Sequence, residues 1–233
     1  MMSCGVVIGA DHAQEWLLPW WWRCYSQHNS YPICFIDFGI SEAARRWVQK
    51  RGWLFFPLVH SISLNPVMSL DAASWGCISV RKKWFQKPLA CLQSPWSLSC
   101  WLDIDCEIRS NISPLFNSLS LGNDLALAKD VVEHLRPYTI LLPPEIIYNS
   151  GVISFRRNAP ILHLWKCVCV DNNQHFLSDQ DALSWLIERE QPPFIELPMI
   201  YNWHAGMNPG ANAVIVHYAG NYKDKLQKEP LTL

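Results

Sequence analysis

Apolar residues fall in continuous runs, not alternating ones, through the first part of the chain. Residues 5–11 (Gly-Val-Val-Ile-Gly-Ala-Asp) read as a short buried strand closed by an acid. Residues 32–37 repeat the design, an apolar run ending in Asp37 with Gly39 just beyond. Between them, residues 13–28 read as helical, with Pro19 as a local irregularity. Ser41 has the character of a helix N-cap, Glu42 suits the first turn that follows, and Gly52 suits the stop. Residues 53–59 predict a third strand. Strands and helices that alternate, with the strands apolar throughout, predict an α/β protein with a parallel sheet covered on both faces.

The remaining pattern is less regular. Residues 60–78 read as a long connection, and 81–92 as a helix carrying Lys82, Lys83 and Lys87 and interrupted at Pro88. A strand runs up to Asp103 and Asp105, and another covers 124–129. The Pro-rich stretch 137–144 predicts a loop. In residues 146–155, Asn149-Ser150-Gly151 reads as a Gly-bearing turn entering an apolar strand. Helices are expected at 159–169 and 178–190, and short strands at 194–197 and 213–217 before a basic end. No repeat, low-complexity segment or composition shift divides the chain, so residues 1–233 are expected to form one domain.

The run Cys100-Trp101-Leu102 ends in two carboxylates, Asp103 and Asp105. At i, i+2 on a strand they share a face, and at the strand's end they can converge on one cation. In an open parallel sheet ligands gather at the carboxyl ends of strands, where Asp11, Asp37 and the Asp103/Asp105 pair all fall. Asp37 reads as a loop acid and is left out of the site. A metal held by two carboxylates has open positions that a substrate diphosphate can share, which suits Mg²⁺ or Mn²⁺. His217 closes the run Val214-Ile215-Val216 and supplies a third ligand, whose nitrogen favours Mn²⁺. Gly220 permits close backbone approach, and Lys223 adds a cation where a leaving phosphate needs one.

Composition narrows the classes. Half the residues are apolar and 17% are charged, enough for a substantial core. With 19 Lys and Arg against 20 Asp and Glu, the net charge of −1 gives no basic excess for nucleic acid. Nine cysteines with no CxxC pair point to a reduced, cytoplasmic protein, and Cys167/Cys169 lack the partner pair of a structural zinc. Acids at 11 and 15 break up the N-terminus, so neither a signal peptide nor a membrane-spanning run is expected. Trp16, Trp20, Trp21 and Trp22, with Leu17 and Leu18 beside Arg23, form either a first helix packed in the core or a patch touching the inner face of a membrane.

Five blocks, in order, resemble the GT-A-fold glycosyltransferases, and within them glycosyltransferase family 8. They are Gly9-Ala10-Asp11, Trp101-Leu102-Asp103-Ile104-Asp105, Tyr148-Asn149-Ser150-Gly151-Val152-Ile153, Ser178-Asp179-Gln180-Asp181-Ala182-Leu183 and His217-Tyr218-Ala219-Gly220-Asn221-Tyr222-Lys223. The resemblance implies a three-layer α/β/α domain with a mostly parallel central sheet. It implies transfer of a hexose from a nucleotide-sugar donor, a UDP-sugar by expectation, to an acceptor hydroxyl with retention of configuration. The acceptor would be a lipid-linked glycan, a protein or another sugar. Asp103, Asp105 and His217 would hold Mn²⁺, or Mg²⁺, against the donor diphosphate. Asp11 would meet the base or ribose, and Asn149 and Gly151 the donor sugar. Asp179 would hydrogen-bond the transferred sugar, with Gln180 beneath its anomeric carbon. Gly220 and Lys223 would hold the diphosphate. The chain departs from the family in following Lys223 with Asp224-Lys225 instead of Pro-Trp. The family's donor-binding helical Arg has three rivals here, Arg81, Lys83 and Lys87. Asp181 also fits a capping box with Ser178. A nucleotidyltransferase of related fold and a non-catalytic nucleotide-sugar-binding protein are the alternatives.

Overall fold

A computed structural model describes residues 3–57, 62–63, 78–119, 122–131, 146–207, 210 and 212–226. The expected connection over 60–78 and the Pro-rich loop at 137–144 lie almost wholly outside these residues, as does the end of the strand expected at 53–59. β1 (Cys4–Ala10), β2 (Ile33–Asp37), β3 (Trp53–Phe55), β4 (Leu98–Leu102), β6 (Leu125–Lys129), β7 (Tyr148–Arg156) and β8 (Phe194–Glu196) form a seven-stranded sheet in the order β3-β2-β1-β4-β7-β6-β8. All neighbours run parallel except β7, which is antiparallel to both β4 and β6. The sheet is thus mostly parallel, as expected, with one reversed strand. β5 (Cys106–Ile108), β9 (Trp203–His204) and β10 (Ile215–His217) form a second, three-stranded sheet, so the last strand expected from the sequence does not join the main one.

Apolar side chains of the large sheet divide between its faces. Val6 and Ile8 of β1 pack in one cluster with α1 (Leu18–Ser26), α2 (Glu42–Gln49) and α5 (Ser113–Asn117), through Trp21, Trp47 and Phe116. Val7 belongs to the opposite cluster with α4 (Lys87–Leu92), α6 (Pro160–Asp171) and α7 (Asp179–Glu190), through Leu89, Trp165 and Leu183. Burial of both faces explains why the strands read as unbroken apolar runs. The N-terminal tryptophans settle in the core: Trp20 and Trp21 are buried, and Trp21 stacks on Tyr25 with ring centroids 5.0 Å apart. No helix among the described residues is long and apolar enough to cross a membrane. The eight described cysteines are all free thiols.

Local signals account for most boundaries. The Ser41 hydroxyl accepts from the Ala44 N–H and caps α2, and the Gly52 N–H bonds the Val48 carbonyl just past its end. Asp181 accepts from both the backbone N–H and the hydroxyl of Ser178, the reciprocal cap of α7. The first helix differs from expectation. A 3₁₀ turn (Glu15–Leu17) leads into α1, where Pro19 lies in the first turn and so interrupts nothing. The helix expected at 81–92 is two helices, α3 (Ile78–Trp84) and α4; they part at Phe85-Gln86, and Pro88 opens the second instead of breaking the first.

Candidate active site

The reversed strand positions the site. β1, β2 and β4 run parallel, so their carboxyl ends share one rim. Because β7 is antiparallel, it begins where β4 ends: Val152 pairs with Leu102, and the Asp103 N–H donates to the Gly151 carbonyl at 2.8 Å. Asn149, Ser150 and Gly151 thus lie inside the extended strand β7, not in the turn before it that was expected.

Asp103 and Asp105 also depart from expectation. They sit on a turn, not on a strand. β4 stops at Leu102, the Cys106 N–H closes back onto the Asp103 carbonyl at 3.0 Å, and β5 leaves into the small sheet. Ile104 buries itself in the core between them, which anchors the turn. The small sheet then delivers the third residue. His217 pairs across from Cys106, and the Tyr218 N–H bonds the Asp105 carbonyl at 2.9 Å. His217 Nε2 lies 3.2 Å from Asp105 Oδ1 and 3.7 Å from Asp103 Oδ2. Asp105, Cys106 and His217, all buried, offer ligand atoms within 4.8 Å of one another, with Asp103 also beside the imidazole nitrogen; oxygen and nitrogen donors so placed suit a divalent cation. The buried Cys106 thiol, the third member of that group, donates to the Gly151 carbonyl at 3.8 Å, and burial pushes its pKa up while no cation is bound.

The electrostatics follow from the pairing. Burial alone would raise the Asp105 pKa, but His217 and Lys223 outweigh it and hold the carboxyl well below its usual range. Lys223 Nζ is 3.1 Å from Asp105 Oδ2. It gets there because Gly220, at φ +63°, turns the chain into a 3₁₀ segment (Gly220–Lys225) that folds back on the cleft. For His217, burial disfavours the imidazolium, yet Asp105 and then Asp103 more than offset it and the pKa is raised.

Behind the turn lies a second network centred on Ser150 and Lys87. Lys87 Nζ is buried, 3.1 Å from Asp103 Oδ1 and 3.6 Å from Asp179 Oδ2, and it donates to the Ser150 carbonyl at 3.0 Å and hydroxyl at 3.1 Å. Burial works against the Lys87 charge, but Asp103 and Asp179 outweigh it and raise its pKa. The Ser150 hydroxyl donates to Asp179 at 2.9 Å, and the Ser150 N–H donates to Gln180 Oε1 at 3.0 Å. Gln180 in turn donates to Asp130 Oδ2 at 2.6 Å. Asp179 is buried, which raises its pKa, with Lys87 pulling the other way.

An open cleft holding about 540 Å³ between protein atoms, mouth included, fronts these groups. Asp11, Lys83, Lys87, Asp103, Asp105 and Lys223 line it, and Trp101 forms part of its wall while donating to Asp103 Oδ1 at 2.6 Å. Asp11 accepts from the Gln14 N–H and pairs with Lys83. Arg81 is turned away, its guanidinium on the carbonyls of Phe176 and Leu177. Asp179, Gln180, Asn149 and Gly151 are not on the cleft wall but directly behind it. Asp37, set aside in the sequence, caps its own loop through the N–H groups of Gly39 and Ile40 and pairs with Arg45.

Two site members escaped the sequence reading. Lys87 was only one of three rival cations, and a lone Lys in a helix is ordinarily exposed. Ser150 stood inside a recognised block with no role of its own; its one signal was a polar residue facing inward at the start of an apolar strand.

No known family profile matches the sequence, and no curated protein matches it. Solved structures do. The galactosyltransferase LgtC in complex with donor and acceptor sugar analogues superposes with a TM-score of 0.62 at 18% identity, over 93% of this chain and 87% of that one. Mouse xyloside xylosyltransferase 1, in its apo form, gives 0.60 at 17% identity over 94% and 99%. The apo glycosyltransferase GlyE of Streptococcus pneumoniae TIGR4 gives 0.62 at 15% identity over 94% of this chain and 55% of that one. The seven-stranded sheet with one reversed strand, and the layers around it, are the GT-A glycosyltransferase fold.

Proposed function

We propose that residues 1–233 act as one glycosyltransferase domain that moves a sugar from a nucleotide-sugar donor to an acceptor hydroxyl. The observation that supports this reading is His217 Nε2 lying 3.2 Å from Asp105 and 3.7 Å from Asp103 at the rim of a GT-A-type sheet, with Lys223 and Lys87 beside the two carboxylates. The finer reading is a UDP-hexose donor, retention of configuration, and a glycan, lipid-linked or protein acceptor met in the cytoplasm.

Asp103, Asp105 and His217 would hold Mn²⁺, which when bound supplies Lewis acidity toward a departing diphosphate. The remaining roles belong to the chain itself. Lys223 sits on Asp105 and can swing to the leaving phosphate, lowering the cost of its developing charge. Of the three rival cations, Lys83 and Lys87 line the cleft and stay candidates for the donor contact, whereas Arg81 is engaged by carbonyls away from it. Asp11 receives the base or ribose. By the family resemblance Asn149 and Gly151 would shape the back of the sugar pocket, Asp179 would meet a sugar hydroxyl and Gln180 would lie beneath the anomeric carbon, although none of the four lines the cleft here. Gly220 permits the turn that brings Lys223 to the diphosphate.

One observation favours a second reading, a nucleotide-sugar binder without turnover. The Gln180 amide is held at both ends, by Ser150 and Asp130, so it is not poised toward the cleft. Incubating the protein with UDP-glucose and UDP-galactose and Mn²⁺ separates the readings. A transferase releases free UDP, by slow hydrolysis when no acceptor is present; a binder is stabilised thermally by the same mixture and releases none. If no sugar nucleotide raises Tm with Mn²⁺ present, the donor site itself is wrong.

A further inference from the structure

Three side chains far apart in sequence form one chain of hydrogen bonds beneath His217. The Gly151 backbone N–H donates to Asn149 Oδ1 at 2.8 Å. Asn202 Nδ2 donates to that same oxygen at 2.8 Å. Asn202 Oδ1 faces His217 Nδ1 at 3.1 Å. Asn202 and His217 are both buried.

The direction of this chain is forced. A backbone N–H can only donate, so Asn149 must turn its oxygen, not its NH₂, toward Gly151. That oxygen then requires a donor from Asn202, which fixes the Asn202 amide with its own oxygen toward the histidine. An amide oxygen only accepts, so Nδ1 of His217 must carry a proton. In the neutral ring Nε2 is then left with a free lone pair, and Nε2 is the atom facing Asp103 and Asp105. Gly151 also gives the ring its seat. A Cβ there would lie 2.1 Å from His217 Cε1 and 2.5 Å from Nδ1, too close for any side chain.

We infer that Asn202 is a positioning residue that, through Asn149 and the Gly151 N–H, fixes the Nδ1–H tautomer and the orientation of His217, and so presents Nε2 to a divalent cation. The inference rests on the metal reading of Asp103, Asp105 and His217. Outer partners of this kind typically change metal affinity 10–100-fold.

Long-range ¹H–¹⁵N NMR of histidine-labelled, metal-free protein, at alkaline pH where the ring is neutral, reads the tautomer directly. Calorimetric titration with Mn²⁺ alone reads the affinity. The wild-type ring is expected as Nδ1–H. Asn202→Leu is expected to lose that preference and to bind Mn²⁺ about 10–100-fold more weakly. Asn202→Asp keeps an acceptor toward Nδ1 and is expected to keep both the tautomer and most of the affinity. A merely structural Asn202 would lower Tm in both variants and leave the tautomer unchanged. An Nε2–H ring in the wild type overturns the inference, as does a folded Asn202→Leu protein with wild-type Mn²⁺ affinity. If the leucine variant does not fold, the wild-type tautomer and Asn202→Asp decide. Should wild-type protein bind no Mn²⁺, the metal reading falls, while the tautomer still judges the relay.

Discussion

Asp37 and Asp103 stand at the ends of parallel strands on one rim, two strands apart, and they meet opposite fates. Asp37 is turned inward by its own loop: two backbone N–H groups and Arg45 take up its oxygens, and little of it faces the cleft. Asp103 has no such loop to cap. The chain after it makes a turn pinned by Ile104 and departs into another sheet, so its carboxylate faces Trp101, Lys87 and His217. Position on the rim offers both residues to a ligand. What separates these two is that two backbone N–H groups and Arg45 turn Asp37 into its own loop, whereas Asp103 stays on the cleft wall.

The sharpest test of that contrast pairs the two. Asp103→Asn together with Asp105→Asn is expected to abolish Mn²⁺-dependent release of UDP from a UDP-sugar, whereas Asp37→Asn should leave it in place. Loss of turnover in Asp37→Asn at unchanged Tm would break the comparison. Next in size is Lys87→Met. Removing a buried cation that two carboxylates share should cost about 3–5 kcal/mol in urea unfolding; a cost below about 1 kcal/mol would show that solvent reaches the pair. Asp37→Ala should cost about 1.5–3 kcal/mol through its charge-assisted backbone bonds, with Mn²⁺ affinity unmoved.

A smaller effect follows pH. The folded pKa of His217 is raised above its ordinary value near 6.5. In metal-free protein the His217–Asp105 attraction is therefore fully present below about 6.5 and lost as pH rises through the folded pKa. Mn²⁺ must displace that proton, so its affinity runs the other way, rising with pH by up to about tenfold per unit until the ring is neutral. Calorimetric titrations across that window check the sign; an affinity that falls with rising pH would exclude His217 as a ligand. Smallest is Ser41→Ala, which loses the cap of α2, expected to cost about 1 kcal/mol and to leave the cleft untouched.

The parallel half of the fold was legible because buried strands carry unbroken apolar runs and the Ser41 and Ser178 caps stand at the right offsets. Direction was not legible. An apolar run does not encode whether a strand points up or down, so nothing in the sequence singled out β7 as the reversed strand. Its opening residues, Asn149 to Gly151, have turn composition. They are extended because the pairing of Tyr148 with Lys129 and of Val152 with Leu102 holds the strand on either side of them, a tertiary fact. Asp103 and Asp105 both reach His217, as the spacing suggested, but from a turn held by Ile104 and not through strand alternation. Asn202 was not legible in the sequence, because its role depends on partners 53 and 15 residues away.

The turn at Asp105 also dictates an order of assembly during synthesis. Asp105 is buried, yet both groups that compensate it, His217 and Lys223, come more than a hundred residues later. Until β10 docks, the growing chain holds a carboxylate it can bury only at a penalty of several kcal/mol. The large sheet can form first, but the turn joining it to the small sheet should stay open. A chain halted after Ala213 is accordingly expected to be cut by protease near residues 103–108 and protected elsewhere in the main sheet, with the last strand acting as the latch on the unfinished site.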